Sequence, residues 1–420
     1  MFKHLSQNQL LLATDAITSP HNCVCFILAP PTNLKAIADP RSFKSSRVAD
    51  FLYLYHPRNT LTMFKFKLRF LCLAAACAFS FVQAQAQQPA PKMKYLNKPL
   101  ISTIYTADPS AHVFNGKIYI YPSHDIDAGI PENDNGDHFA MRDYHILSLD
   151  RIGGPVTDHG VAIDIKDIPW AGRQLWAPDA AYKNGTYFLY FPLKNKQDIF
   201  QIGVATSKNP AGPFTAQPQP MPGSFSIDPA VFVDDDGSAY LYFGGIWGGQ
   251  LQRWKDGKYD ANGSKTDLQQ DDAPSLNCKV VKLKNNMLEF DGKVSDALIV
   301  DSAGNPLLGK DHDRRFFEGS WMHKYKGKYY FTYSTGDTHY LAYAIGTSPM
   351  GPFTYAGHFM QPVQGWTTHH SIVKFKGKWY IFYHDTELSG KTHLRNVKVT
   401  ELHHNPDGTI RMINTFWLEK

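Results

Sequence analysis

The sequence predicts an all-β fold, a five-bladed β-propeller built as a single domain over residues 98–415. Three observations carry this. A segment that reads as a β-hairpin recurs five times, as ADPSAHVFNGKIYIYPSHD, APDAAYKNGTYFLYFPLK, IDPAVFVDDDGSAYLYFGG, FEGSWMHKYKGKYYFTYSTGD and HHSIVKFKGKWYIFYHD. Self-similarity at such intervals marks a repeat architecture. The same region has no sustained helical period, and its strands are rich in Tyr, Phe, Trp and Ile, which suit sheets packed face to face.

The first fifth of the chain reads as something other than fold. Residues 1–62 show no period and scattered Pro, Cys and aromatic residues, as expected of a mis-assigned upstream leader or a disordered segment. From Met63 the chain runs MFKFKLRFLCLAAACAFSFVQAQA, with Lys65, Lys67 and Arg69 before an apolar stretch from Phe70 to Val82 and small residues at the end. That pattern predicts a signal peptide over 63–86 and export to the periplasm or the outside. The apolar stretch is short of the roughly 20 residues a membrane span needs. Without residues 1–86 the formal charge drops from +5 to about −1, which removes any hint of a nucleic-acid partner. Cys278 is then the one cysteine left, so no intrachain disulfide is available.

Each blade is announced by a turn. Asn115-Gly116, Asn184-Gly185, Asp236-Gly237, Lys326-Gly327 and Lys376-Gly377 each separate two apolar runs, a hairpin signal. ATSKNPAGPFT (205–215) and GTSPMGPFT (346–354) echo each other after the second and fourth hairpins. Hairpins at this spacing fit four-stranded blades arranged around an axis. Between the third and fourth copies, residues 246–316 read as a loop-rich insertion able to close one side of a groove.

The charged residues fall at one phase of the repeat. Asp108, Asp179, Asp228, Glu318 and His369 stand 6 to 9 residues before the turn glycines, each at the start of an apolar strand. A charge there needs solvent or a partner. If these strands are innermost, rotation about the axis brings all five to one mouth. Neighbouring carboxylates push their pKa values apart, which supplies a proton donor and an ionised base. A single Asp-Pro pair is more simply a strand start; several carboxylates in one phase are not.

ADPS, WAPDA, IDPAVF, FFEGSW and HHSIV, in this order, resemble glycoside hydrolase family 43. The resemblance implies an inverting exo-glycosidase, a β-xylosidase with α-L-arabinofuranosidase activity, acting on xylan or arabinoxylan fragments. It makes Asp108 the general base, Glu318 the general acid and Asp228 the carboxylate that tunes and orients the acid. It makes His369 an axial residue near a structural Ca²⁺, with His370 an adjacent competitor, and Arg395 a ligand of sugar hydroxyls and carboxylates. Trp176 and Trp321 are candidates for stacking on a sugar or for blade core, and His124 and Asp125 for further polar contacts. An arabinan-degrading relative and a non-catalytic sugar-binding propeller are the alternatives, the latter expected to have lost a carboxylate. DDDG at 234–237 lacks the spaced ligands of a calcium loop, and no HExxH, Gly-x-Ser-x-Gly or phosphate-loop pattern occurs. No organic cofactor is expected.

Overall fold

The computed structural model describes residues 93–266 and 269–418, so the leader and signal-peptide readings lie outside the described residues. The described chain is a five-bladed β-propeller. Blade 1 pairs Tyr105–Phe114, Lys117–Asp125, Asp143–Leu149 and Thr157–Asp164 in chain order. Blade 2 is built on Thr186–Asn195, whose first half pairs with Asp179–Lys183 and whose second half pairs with Ala171–Leu175. Phe200–Ser207 and Thr215–Ala216 complete it.

Blade 3 runs Ala230–Val233, Ala239–Phe243, Lys279–Leu283 and Ser295–Asp296, and blade 4 runs Phe316–Tyr325, Lys328–Thr335, Leu341–Gly346 and Phe353–Met360. Ile299–Val300 adds a parallel strand outside blade 4. Blade 5 has three strands, His370–Phe375, Lys378–Asp385 and Asn396–Leu402. The ring is tied where the described chain ends meet. Met93–Tyr95 pairs with Phe416–Leu418, and the Leu100 and Thr106 N–H groups donate to the Val397 and Arg395 carbonyls of blade 5.

The turn residues behave as their chemistry dictates. Asn115-Gly116, Asn184-Gly185, Lys326-Gly327 and Lys376-Gly377 all have positive φ at both positions, the two-residue hairpin turn that matches strand twist. The core lies between blades. Ala111, Ile118, Ile120, Leu147 and Leu149 of blade 1 pack on Phe375, Phe382 and Val397 of blade 5. Tyr121, Tyr144 and Ile146 pack on Leu189, Phe191 and Leu193 of blade 2.

The 246–316 segment corrects the expectation of one long insertion. It contains the two outer strands of blade 3 and the added strand of blade 4. The true excursion is shorter: two 3₁₀ turns, Trp247–Gly249 and Leu251–Arg253, and a small hairpin at 254–259. The first of these turns lies against the propeller mouth.

Candidate active site

A cavity of about 310 Å³ opens at one end of the axis, and Asp108, Asp228, Glu318 and His369 from four blades all line it. Local backbone chemistry turns them inward. Asp108 (φ 46°) and Asp228 (φ 54°) adopt left-handed φ, as does Gly319 (φ 66°) beside Glu318. Aspartate tolerates that region better than most residues, and such strain collects at functional sites. The ladder slips at the same places, between Ala107 and Ser110 and on both sides of Glu318. Bulges of this kind re-aim a side chain.

The three carboxyls live in different surroundings. Asp108 is buried, and burial is the largest single influence on its carboxyl, but Arg395 together with the neighbouring histidines and Ser123 outweighs it. With Ser123 donating 2.7 Å to Oδ2 and Arg395 Nη1 donating 2.8 Å to Oδ1, the Asp108 pKa is held down to about 2. Arg395 is fixed in turn by a fork onto Asp125, through Nε and Nη2 at 2.8 Å each. Its guanidinium also lies 4.8 Å from the Phe139 ring centre.

His384 Nδ1 accepts the Asp108 backbone N–H at 3.0 Å, and its Nε2 lies 3.0 Å from the Thr367 carbonyl. This fixes a neutral imidazole with Nε2–H donating. Burial pushes its pKa down to about 3, so it stays neutral at ordinary pH.

Among the described residues Glu318 makes no ion pair, and Arg395 acts on it only from a distance. Burial, reinforced by the Asp108 charge, pushes it up to about 8. Asp228 is raised to about 7 by burial and by Glu318 and Asp108, against the opposing pull of His369. Its Oδ2 accepts the Gly319 N–H at 2.9 Å, which pins the backbone next to Glu318. His369 Nδ1 stands 3.6 Å from Asp108 and 3.9 Å from Asp228. At neutral pH the cavity thus holds Asp108 ionised and Glu318 protonated, with Asp228 near its midpoint between them. Asp108 and Glu318 are the pair needed for acid/base cleavage of an acetal.

Other expected residues fall on both sides of the cavity wall. Trp176 lines it, with Nε1 donating 2.7 Å to the Phe139 carbonyl and its ring packed on Phe200. Arg395 lines it too. Trp321 does not and is corrected to core: it is 7% exposed, its Nε1 donates to the Ile372 carbonyl, and its ring meets His112. Asp179 is also absent from the cavity. It is a buried hub that accepts from Ser110 and the Val231 N–H, with His112 Nε2 at 2.7 Å. His370 is wholly buried, against Thr332. Of the pair His124 and Asp125, Asp125 acts through Arg395, whereas His124 stays outside and meets Asp143.

Reasoning from the repeat missed Trp247, Trp366, Phe139 and the acidic turn Glu132–Asp134, all at the wall. Trp247 and Trp366 approach to 5.6 Å between ring centres, and Trp366 is 36% exposed. Trp366 stands three residues before His369, which was the available signal. His384 lay inside the fifth repeat without marking itself.

Comparison with known proteins accords with this geometry. Residues 97–410 match the model of the glycosyl hydrolases family 43. The chain is 60% identical over 319 residues to a xylosidase/arabinosidase of Humicola insolens, covering 74% of this chain and 98% of that one. A β-xylosidase/α-arabinofuranosidase from a compost microbial metagenome, in complex with xylotriose and in a calcium-free form, superposes with TM-score 0.75 and 66% identity. That match spans 77% of this chain and 99% of the other. A Xanthomonas citri enzyme complexed with xylotriose superposes with TM-score 0.72 and 52% identity, over 76% and 94% of the two chains.

Proposed function

Since the chain belongs to glycosyl hydrolases family 43 and is a glycoside hydrolase, we propose that it removes terminal β-D-xylosyl residues from xylo-oligosaccharides with inversion, and also accepts α-L-arabinofuranosyl residues. The observation that carries this reading is the asymmetry of the carboxyls: Asp108 held down to about 2 and Glu318 pushed up to about 8 in one cavity. The relatives named xylosidase/arabinosidase and the xylotriose complexes support the choice of sugar. A cavity walled by Trp247 and Trp366 suits a chain end better than the middle of a polymer.

In this reading Glu318 gives its proton to the glycosidic oxygen as the bond to the sugar breaks. Asp108 takes a proton from a water on the opposite face of the ring, and that water becomes the new hydroxyl. Arg395 keeps Asp108 ionised without competing for its proton. Asp228 holds the Gly319 backbone, and so the acid, in place, and the charges of the two carboxyls oppose each other.

Calcium takes about six to eight oxygen ligands. Near His369 the two Asp108 oxygens accept from Arg395 and Ser123, and Asp228 Oδ2 accepts the Gly319 N–H. The donors fit an ion that keeps most of its own water with His369 as the protein ligand. Bound there, it would add positive charge beside the carboxylates.

The test is a panel of aryl β-D-xylosides, aryl α-L-arabinofuranosides and arabinan, with proton NMR of the first-formed anomer. Release of α-xylose from β-xylosides is expected. Release of β-xylose first, or activity on arabinan alone, would refute the proposal. Export rests on residues 63–86 and is checked by N-terminal sequencing of protein recovered from cell fractions.

A further inference from the structure

Outside the cavity, blade 1 gathers a second chemical cluster. Asp143 and His145 are two apart on one strand and so project to the same face. The register that pairs Ile118 with Leu149 and Ile120 with Leu147, carried on, sets His124 opposite Asp143. His124 Nδ1 lies 2.6 Å from Asp143 Oδ1, and His145 Nε2 lies 4.0 Å from the same oxygen. One ligand atom from each of the three falls within 4.8 Å of the others, the one such group among the described residues. None of the three lines the catalytic cavity.

We propose that His124, Asp143 and His145 form a binding site for a borderline divalent transition metal such as zinc. Two imidazoles and a carboxylate are a donor set for zinc, cobalt or nickel rather than for calcium. Zinc bonds of about 2.0–2.2 Å place tetrahedral ligand atoms roughly 3.3 Å apart. The 2.6 Å pair must open and the 4.0 Å pair must close by less than an ångström each, within reach of small side-chain rotations.

The second observation is Asp158 on the next strand. Both of its oxygens lie 3.0 Å from His145 Nδ1, and it also accepts the Gly160 N–H. Holding Nδ1 as a donor leaves Nε2 with a free lone pair facing Asp143, the carboxylate–histidine–metal arrangement. The side chains of His124, Asp143 and His145 are 17%, 21% and 15% exposed, so an ion has a path in and a water has room as fourth ligand. The ion would staple the second and third strands of blade 1 one residue from Asp125, the anchor of Arg395.

The test titrates chelator-stripped full-length protein with zinc chloride by calorimetry and with cobalt chloride by visible absorption. Wild type and His369→Ala are each expected to take up one zinc that calcium does not displace, with tetrahedral cobalt bands. The His124→Ala/His145→Ala double variant should lose that equivalent while still hydrolysing aryl xyloside, which shows that it folds. Asp158→Asn should bind about 10- to 100-fold more weakly. No uptake by wild type, undiminished uptake by the double variant, or loss of the equivalent in His369→Ala instead would overturn the proposal.

Discussion

Replacing Glu318 by Gln separates the two consequences of its surroundings. The carboxyl titrates near 8 in the folded protein against an ordinary 4.5. Between those values the folded chain holds a proton that the unfolded chain has lost, so stability falls as pH rises, by 1.36 kcal/mol per unit at full effect. From pH 4.5 to neutrality that amounts to ~3 kcal/mol. Glu318 is only partly buried, and solvent screening reduces the expected share to about 1–2 kcal/mol.

Glutamine cannot ionise and escapes this cost. Scanning calorimetry of both proteins should show a gap in the variant's favour that widens from near pH 4.5 to near pH 8, reaching a few degrees in Tm. Activity moves the other way. On xylobiose, kcat/KM should fall by roughly 10²- to 10⁴-fold. On a dinitrophenyl xyloside, whose leaving group departs without a proton, the loss should be far smaller. A stability gap that does not change with pH, or equal losses on both substrates, would refute the assignment of Glu318 as a destabilised acid.

For the wild type, kcat/KM should fall above about pH 8 as Glu318 deprotonates, while its acid side stays flat toward the Asp108 value of about 2 for as long as the fold survives. Asp228→Asn should move the alkaline limb downward, because one of two interacting carboxyls is gone; a pH–rate profile of the variant checks it. Arg395→Met should raise the Asp108 pKa, lift the acid limb into the measurable range and cost about 3–5 kcal/mol in stability, since Asp125 stays buried without its fork. Trp321→Ala should cost about 3–5 kcal/mol in unfolding experiments and leave KM unchanged, whereas Trp176→Phe should raise KM with little change in Tm.

The fold was legible because a propeller repeats its hairpin, and a turn that demands positive φ at two positions writes itself as Asn-Gly or Lys-Gly. Arg395, Asp125 and His384 were harder to read. Their value comes from contacts across the joint between blades 1 and 5, where residues over 250 apart meet, and no local period encodes that joint. Trp321 and Trp176 look alike in sequence. The ladder resumes its register at Trp321 opposite Thr332, which turns the ring into the interblade core.

The sharpest lesson lies in Asp179, which shares the repeat phase of Asp108, Asp228 and Glu318 and yet goes elsewhere. The residue that follows each carboxylate explains the split. Asp108 and Asp228 precede Pro109 and Pro229, and Glu318 precedes Gly319. Proline has no N–H to give the ladder and glycine accepts left-handed φ, so a regular ladder breaks at these sites and the side chain swings to the axis. Asp179 precedes Ala180, which asks for nothing unusual. Its strand pairs in unbroken register, Asp179 with Tyr190 and Ala180 with Leu189, and the carboxylate is drawn into hydrogen bonds between blades. Phase selects the candidates, and the following residue decides which of them reach the cavity. An Asp179→Asn variant should accordingly lose stability while the alkaline limb of the pH–rate profile stays where Glu318 sets it.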